Sequence, residues 1–233
     1  MIKCKLALLV VFITMGIGIY AEKVEITLTY LSKKDITLVV DDSIDEISGV
    51  KGFICFKKDG KEQAAARNQS PIVNITNLER LNKIKKISLM GLLNEYAIGD
   101  LITSQYIEEM YIDYGINSKG IEKLSELKNL KVLYISHSNL NDIKKIDLSN
   151  TKLEYIELSN GSISGIYNLK VPNGLRFANF MRNPGIIIDM HTIEALNKAK
   201  VGVILDDIYP GIVDLIKTNE RYSRIGDYAQ IGW

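Results

Sequence analysis

The sequence predicts an α/β solenoid, and three observations carry that prediction. Apolar residues recur at spacing three and then two: Ile75, Leu78, Leu81, Ile84, Ile87 and Leu89. The rhythm returns 23 residues later as Ile98, Leu101, Ser104, Ile107, Met110 and Ile112, and after another 23 as Ile121, Leu124, Leu127, Leu130, Leu133 and Ile135. A helix would alternate spacings of three and four, whereas repeated threes suit a 3₁₀-like or extended segment feeding a short strand, where the spacing falls to two. A unit of this length exposes an apolar edge that it cannot bury alone, so neighbouring units must stack.

From the amino terminus, residues 1–21 read MIKCKLALLVVFITMGIGIYA: Lys3 and Lys5, an apolar run from Leu6, small residues, then Ala21. That is the layout of a secretory signal peptide. The alternative is a retained anchor, because the stretch from Leu6 to Ala21 is only slightly shorter than the roughly 17 to 25 residues that span a bilayer. Cleavage after Ala21 removes two lysines and no acid, taking the formal charge from +1 to −1. Cys4 precedes the apolar run, which disfavours lipid anchoring, and Cys55 becomes the sole cysteine of the mature chain. Within GFICF it reads as a buried small hydrophobe.

VEITLTYL and DITLVVDD alternate apolar and polar residues around SKKD, a β-hairpin that would cap the amino-terminal end of the core. Ile44, Ile47, Val50, Phe53 and Cys55 carry a first, degenerate turn, so residues 22–60 are cap plus turn and 61–74 an insertion. The array occupies 75–209; its later turns are Leu153, Ile156, Leu158 and Ile163, then Leu175, Ala178 and Phe180, then Ile193, Leu196, Ala199, Gly202 and Ile204. Residues 210–233 would form the carboxyl-terminal cap. The whole chain, 233 residues with 46% hydrophobic and only 4 Pro, 17 Gly and 2 Cys, excludes collagen, low-complexity and disulfide-scaffold classes. Its 29 basic against 28 acidic residues lack the excess of a dedicated nucleic-acid binder.

At LKVLYISHSNL, LEYIELSNGSI and LRFANFMRNPG the chain resembles the leucine-rich repeat family, whose core reads L-x-x-L-x-L-x-x-N-x-L; the short period is similar to bacterial internalin-type repeats. The resemblance covers about residues 75 to 190 in good register and about 44 to 204 with the degenerate turns. The family's Asn position holds Leu92, Gly115, Ser138, Gly161 and Asn183, so one of the five matches. What the resemblance implies is a parallel β-sheet on a concave face, short 3₁₀ or extended convex segments, and a surface or host protein as ligand.

Applied to this chain, the resemblance turns outward Lys86, Ser88 and Met90; Glu109, Tyr111, Asp113 and Tyr114; Val132, Tyr134, Ser136 and His137; Tyr155, Glu157, Ser159 and Asn160; and Phe177, Asn179, Met181 and Arg182. Tyr111 and Tyr134 are expected to stack on adjacent strands, with Tyr155 and Phe177 one column across. Such rings, bordered by charge, have the makeup of a protein-binding patch. The expected partner-binding set is Glu109, Tyr111, Asp113, Tyr114, Tyr134, His137, Tyr155, Glu157, Phe177, Asn179 and Arg182. The competing reading is cross-strand aromatic pairing that only stabilises the sheet.

Catalytic constellations are thin. His137 and His191 stand 54 residues apart, too far along the array to share a metal. Asp41, Asp42, Asp45 and Glu46 lack the spacing of an EF-hand loop and read as a solvated turn. Phosphate-cradling loops, zinc motifs and nucleophile elbows are missing from the sequence. The expectation is therefore an exported protein, in the periplasm, on the cell surface or outside the cell. It would be no enzyme, hold no cofactor or metal, bind no nucleic acid, and keep no membrane span after cleavage. Its concave sheet would bind a protein; the alternative is an envelope component that docks through its terminal caps.

Overall fold

Alternation of apolar and polar residues builds the first sheet. Val24, Ile26, Leu28 and Tyr30 are buried along β1 (Lys23–Tyr30), which pairs antiparallel with β2 (Asp35–Asp41). The turn between them places Lys33 at φ 61°, and its N–H donates to the Tyr30 carbonyl at 2.8 Å. On its other side β1 pairs antiparallel with β6 (Ile72–Thr76), giving a sheet of order β2-β1-β6. These features belong to a computed structural model that describes residues 21–50, 53–90, 105–113, 124–137, 140, 142–144 and 146–205. The apolar signal segment before Ala21, the expected carboxyl-terminal cap and Tyr114 lie outside those residues. Among the described residues, no helix is long and apolar enough to cross a membrane.

A nine-stranded sheet dominates the structure. Its strands are β3 (Glu46–Val50), β4 (Phe53–Lys58), β5 (Lys61–Arg67), β7 (Lys86–Met90), β8 (Glu109–Asp113), β9 (Val132–Ser136), β11 (Tyr155–Ser159), β13 (Phe177–Asn179) and β15 (Gly202–Ile204), in spatial order β15-β13-β11-β9-β8-β7-β3-β4-β5. From β3 through β15 all neighbours are parallel, while β3–β4 and β4–β5 are antiparallel. A smaller parallel sheet contains β10 (Asp142–Lys144), β12 (Gly165–Tyr167) and β14 (Ile187–Ile188).

Register explains the core. Ile47, Ile87, Met110, Leu133, Ile156, Ala178 and Val203 face one another across successive parallel strands, and each is 3% exposed or less. Leu89, Ile112, Ile135 and Leu158 make a second buried row. The triplet-spaced residues do approach in 3₁₀ turns, at Leu78–Arg80 and Leu124–Glu126, and bury Leu78, Leu81 and Ile84, then Leu124, Leu127 and Leu130. All join one apolar cluster with the β1 and β6 side chains.

The expected fold class, an α/β solenoid with a leucine-rich repeat sheet, is corrected by this topology. The described residues are mainly β, arranged in mixed sheets, and contain a single α-helix, α1 (Met190–Lys198). Two antiparallel strands extend the parallel strands at one edge, because the chain after β3 doubles back instead of continuing in one direction. Residues 61–74, read as an insertion, carry β5 and the start of β6. An apolar period of two reports which side chains turn inward. It does not say whether the neighbouring strand runs parallel or antiparallel.

Strand entry is marked by alternating charge. Asp45, Lys85, Glu108, Lys131, Glu154 and Arg176 precede successive parallel strands, and each of the first five carbonyls accepts from the backbone N–H of the next residue in the series. Lys131 Nζ lies 2.6 Å from Glu108, holding that carboxyl below its usual range, and Arg176 lies 3.7 Å from Glu154. Exposed pairs of this kind contribute little stability. Their alternation does penalise like-charge neighbours, and so it favours this strand order.

Candidate functional site

The less buried face of the parallel strands follows directly from the alternation. Glu109, Tyr111 and Asp113 are partly exposed on β8 while Met110 and Ile112 are buried, and the same parity turns Tyr134, Tyr155, Glu157 and Asn179 outward. Register sets Ser88, Tyr111, Tyr134, Glu157 and Asn179 side by side across five strands. Tyr111 and Tyr134 meet with ring centroids 6.3 Å apart and planes tilted by 35°. That separation is within the range of favourable aromatic pairs. Tyr155 pairs with Phe177 in the adjacent row.

Hydrogen bonds hold the rings in place. Tyr111 Oη donates to Glu109 Oε2 at 3.3 Å, and Tyr155 Oη donates to Glu157 Oε2. Glu157 also accepts from Ser159 Oγ at 2.5 Å and Asn179 Nδ2 at 3.0 Å. Burial first, and then the neighbouring carboxylate, pushes the Tyr111 and Tyr155 hydroxyls above the ordinary phenol range; burial does the same to Tyr134. The phenols therefore remain protonated donors at neutral pH.

Phe177 departs from the expectation. It is 6% exposed, because its register partner is Gly202: a Cβ there would stand 3.1 Å from Phe177 Cδ1. The ring lies over the glycine and belongs to the packing rather than to a binding surface. In the sequence Gly202 reads as one more position of the last apolar turn; a glycine inside a strand is also the signal for such a close approach.

His137 and Asn160 directly after β9 and β11, and Arg182 three residues after β13, take left-handed backbone conformations, at φ 50°, 51° and 57°. The turn keeps them in line: Arg182 Nη1 donates to Asn160 Oδ1 at 3.0 Å, and Asn160 Nδ2 donates to Ser159 Oγ at 3.1 Å. His137 Nδ1 lies 2.7 Å from Ser136 Oγ and 2.8 Å from Asp113 Oδ1. Those three residue types also occur in hydrolytic triads, but here serine and aspartate meet the same ring nitrogen. One nitrogen cannot accept from Ser136 while donating to Asp113, so these two contacts differ from a triad, in which serine and aspartate meet opposite nitrogens of the ring. Ser136 is moreover 1% exposed, which removes it as a nucleophile.

No protein-family model, curated protein or solved structure matches the chain, and the leucine-rich repeat resemblance rests on its motifs alone.

Beneath the face, Asn183 performs a structural task. It is fully buried; its amide donates to the carbonyls of Leu158 (2.7 Å), Phe180 (2.9 Å) and Met181 (3.3 Å), and its Oδ1 accepts from the N–H groups of Gly161 (3.2 Å) and Ile163 (3.4 Å). His191 sits exposed in the first turn of α1, whose amino end is capped by Asp189 Oδ1 accepting from Thr192 N at 2.9 Å. Among the described residues, no cluster of three or more His, Cys, Asp or Glu could hold a metal.

Cys55 is 2% exposed on β4, and burial, with the carboxylate of Glu62 3.5 Å from its sulfur, pushes the thiol up to about 11. The thiolate is the reactive form. Iodoacetamide at pH 8 should therefore leave Cys55 unmodified in the folded protein and alkylate it completely in urea, as mass spectrometry would show. The raised value also carries a sign: the folded state keeps its proton while the unfolded thiol loses it, so stability falls as pH rises from about 9 towards 11.

Proposed function

We propose that this is an exported, non-catalytic protein that binds a protein partner through the outward face of its parallel strands. The observation that carries the reading is the half-buried Tyr111–Tyr134 pair, continued by Tyr155 and oriented by carboxylates on the same face. Rings already fixed by their neighbours lose little freedom when a partner covers them, so more of the buried area appears as affinity. Tyrosine supplies both an apolar body and a polar tip at such surfaces.

The test compares two baits that begin at Glu22, one native and one carrying Tyr111→Ser, Tyr134→Ser and Tyr155→Ser, each checked for fold by circular dichroism and used to cross-link partners from cell envelope and culture supernatant. Loss of three central aromatic contacts should weaken a face-bound partner at least about a hundredfold. Equal capture by both baits would overturn the reading and move binding to the ends of the molecule. It would leave the tyrosines as cross-strand stabilisers.

A further inference from the structure

Lys86 shows what kind of group this face accepts. Paired in register with Glu109, it places Nζ 5.4 Å from the centroid of the Tyr111 ring and 3.7 Å from Glu109 Oε2. A cation over an aromatic face, with a carboxylate beside it, is held by both the ring quadrupole and the charge. The next ring along the row, Tyr134, has the same ingredients. Its register neighbours are Tyr111 and Glu157, and Asp113 stands one strand back beside Ser136. The groups that reach the Glu157 carboxylate are neutral donors, from Tyr155, Ser159 and Asn179, and the group that reaches Asp113 is the His137 imidazole. Burial pushes the Tyr134 hydroxyl upward and both carboxylates add to it, while a hydrogen bond with Ser136 and the Arg182 charge oppose them; Arg182 Nη1 is turned to Asn160.

We infer that Tyr134, with Asp113 and Glu157, is the seat for a lysine side chain of the partner, so that the face recognises a basic protein segment. This deepens the proposed function and rests on it. The cationic head sits over the ring and between the two carboxylates, and the apolar stem lies along Tyr111 and Tyr155, as long basic side chains cover apolar surface while keeping their charge wet. With a mature formal charge of −1, the molecule as a whole attracts cations weakly, so selectivity must come from this local arrangement.

The experiment titrates the isotope-labelled chain from Glu22 with a lysine octapeptide, the same peptide acetylated on every lysine, and a glutamate octapeptide, following tyrosine ring and backbone signals by NMR. The lysine peptide should perturb Tyr134 and Tyr155 first, and acetylation should weaken binding at least about tenfold. Tyr134→Leu, which keeps apolar bulk but removes the ring, should raise Kd about threefold, and the Asp113→Asn and Glu157→Gln changes should each do the same. Glu194→Gln on the exposed face of α1 should leave Kd unchanged. Equal binding of the acetylated peptide, perturbation confined to the acidic turn at Asp41–Glu46, or indifference to Tyr134→Leu would overturn the inference. The two readings fail differently. A cross-linked partner that needs the three tyrosines, beside a lysine peptide that ignores Tyr134, removes the basic class alone; capture indifferent to the tyrosines removes the face itself.

Discussion

Asn183→Ala is expected to destabilise the protein by about 3 to 5 kcal/mol, read as a lowered urea midpoint at unchanged slope. The side chain donates to three carbonyls and accepts from two N–H groups in a site with no solvent exposure. Alanine leaves these five backbone groups without that partner, and each buried group so stranded costs about 1 to 3 kcal/mol before water or relaxation offsets part of it. Set against a whole-domain stability of about 5 to 15 kcal/mol, that is a large share. Asn183→Asp separates hydrogen bonding from shape. Its carboxylate would confront the carbonyls of Leu158, Phe180 and Met181, and burial among them would raise its pKa above the unfolded value. The neutral form is then favoured by folding, so the variant should regain stability as pH falls and lose it as pH rises through the folded value. A defect that is independent of pH between 4 and 7 would show that the site admits water.

Leu133→Ala should cost about 2 to 5 kcal/mol. Leu133 is 1% exposed in the middle of the inward row, between Met110 and Ile156 on the strands either side. Truncation removes apolar contacts from both neighbours at once, and the flanking strands are fixed by register, which limits collapse into the space. Val203→Ala at the last described parallel strand is the comparison: it removes less volume and, among the described residues, has a neighbouring strand on one side, so it should cost less. Denaturant unfolding of the two variants checks the order, and an equal or larger loss at Val203 would show that the central row does not carry the core.

Much of the outward face was legible in the residues. The 23-residue interval predicts that Tyr111 and Tyr134 stand side by side, and they pair in register. The shorter, 22-residue interval that follows predicts the same for Tyr155 and Phe177. Of the expected set, Glu109, Tyr111, Asp113, Tyr134, Tyr155, Glu157 and Asn179 share the partly exposed face, with His137 and Arg182 at its rim. Phe177 was misjudged, because its burial depends on a glycine 25 residues away. Lys86 was placed on the face without its role, since a cation over a ring needs two side chains on different strands to converge.

By itself, the sequence determined which side chains turn inward on the central parallel strands β7, β8, β9, β11 and β13 and which aromatic residues share a face. Those are properties of local period, and the strand's alternation of two enforces them wherever the strand is placed. It did not do so at the ends, where Val50 is exposed, Val203 in place of Gly202 and Ile204 takes the inward row, and β5 stands where an insertion was expected. Only the tertiary structure decided that β4 and β5 fold back antiparallel beside β3, that β1, β2 and β6 form a sheet of their own, and that a mainly β molecule stands where an α/β solenoid was expected. Strand direction and partner are settled by long-range closure: Glu46 meets Lys86 across a separation of 40 residues, and no local pattern records that pairing.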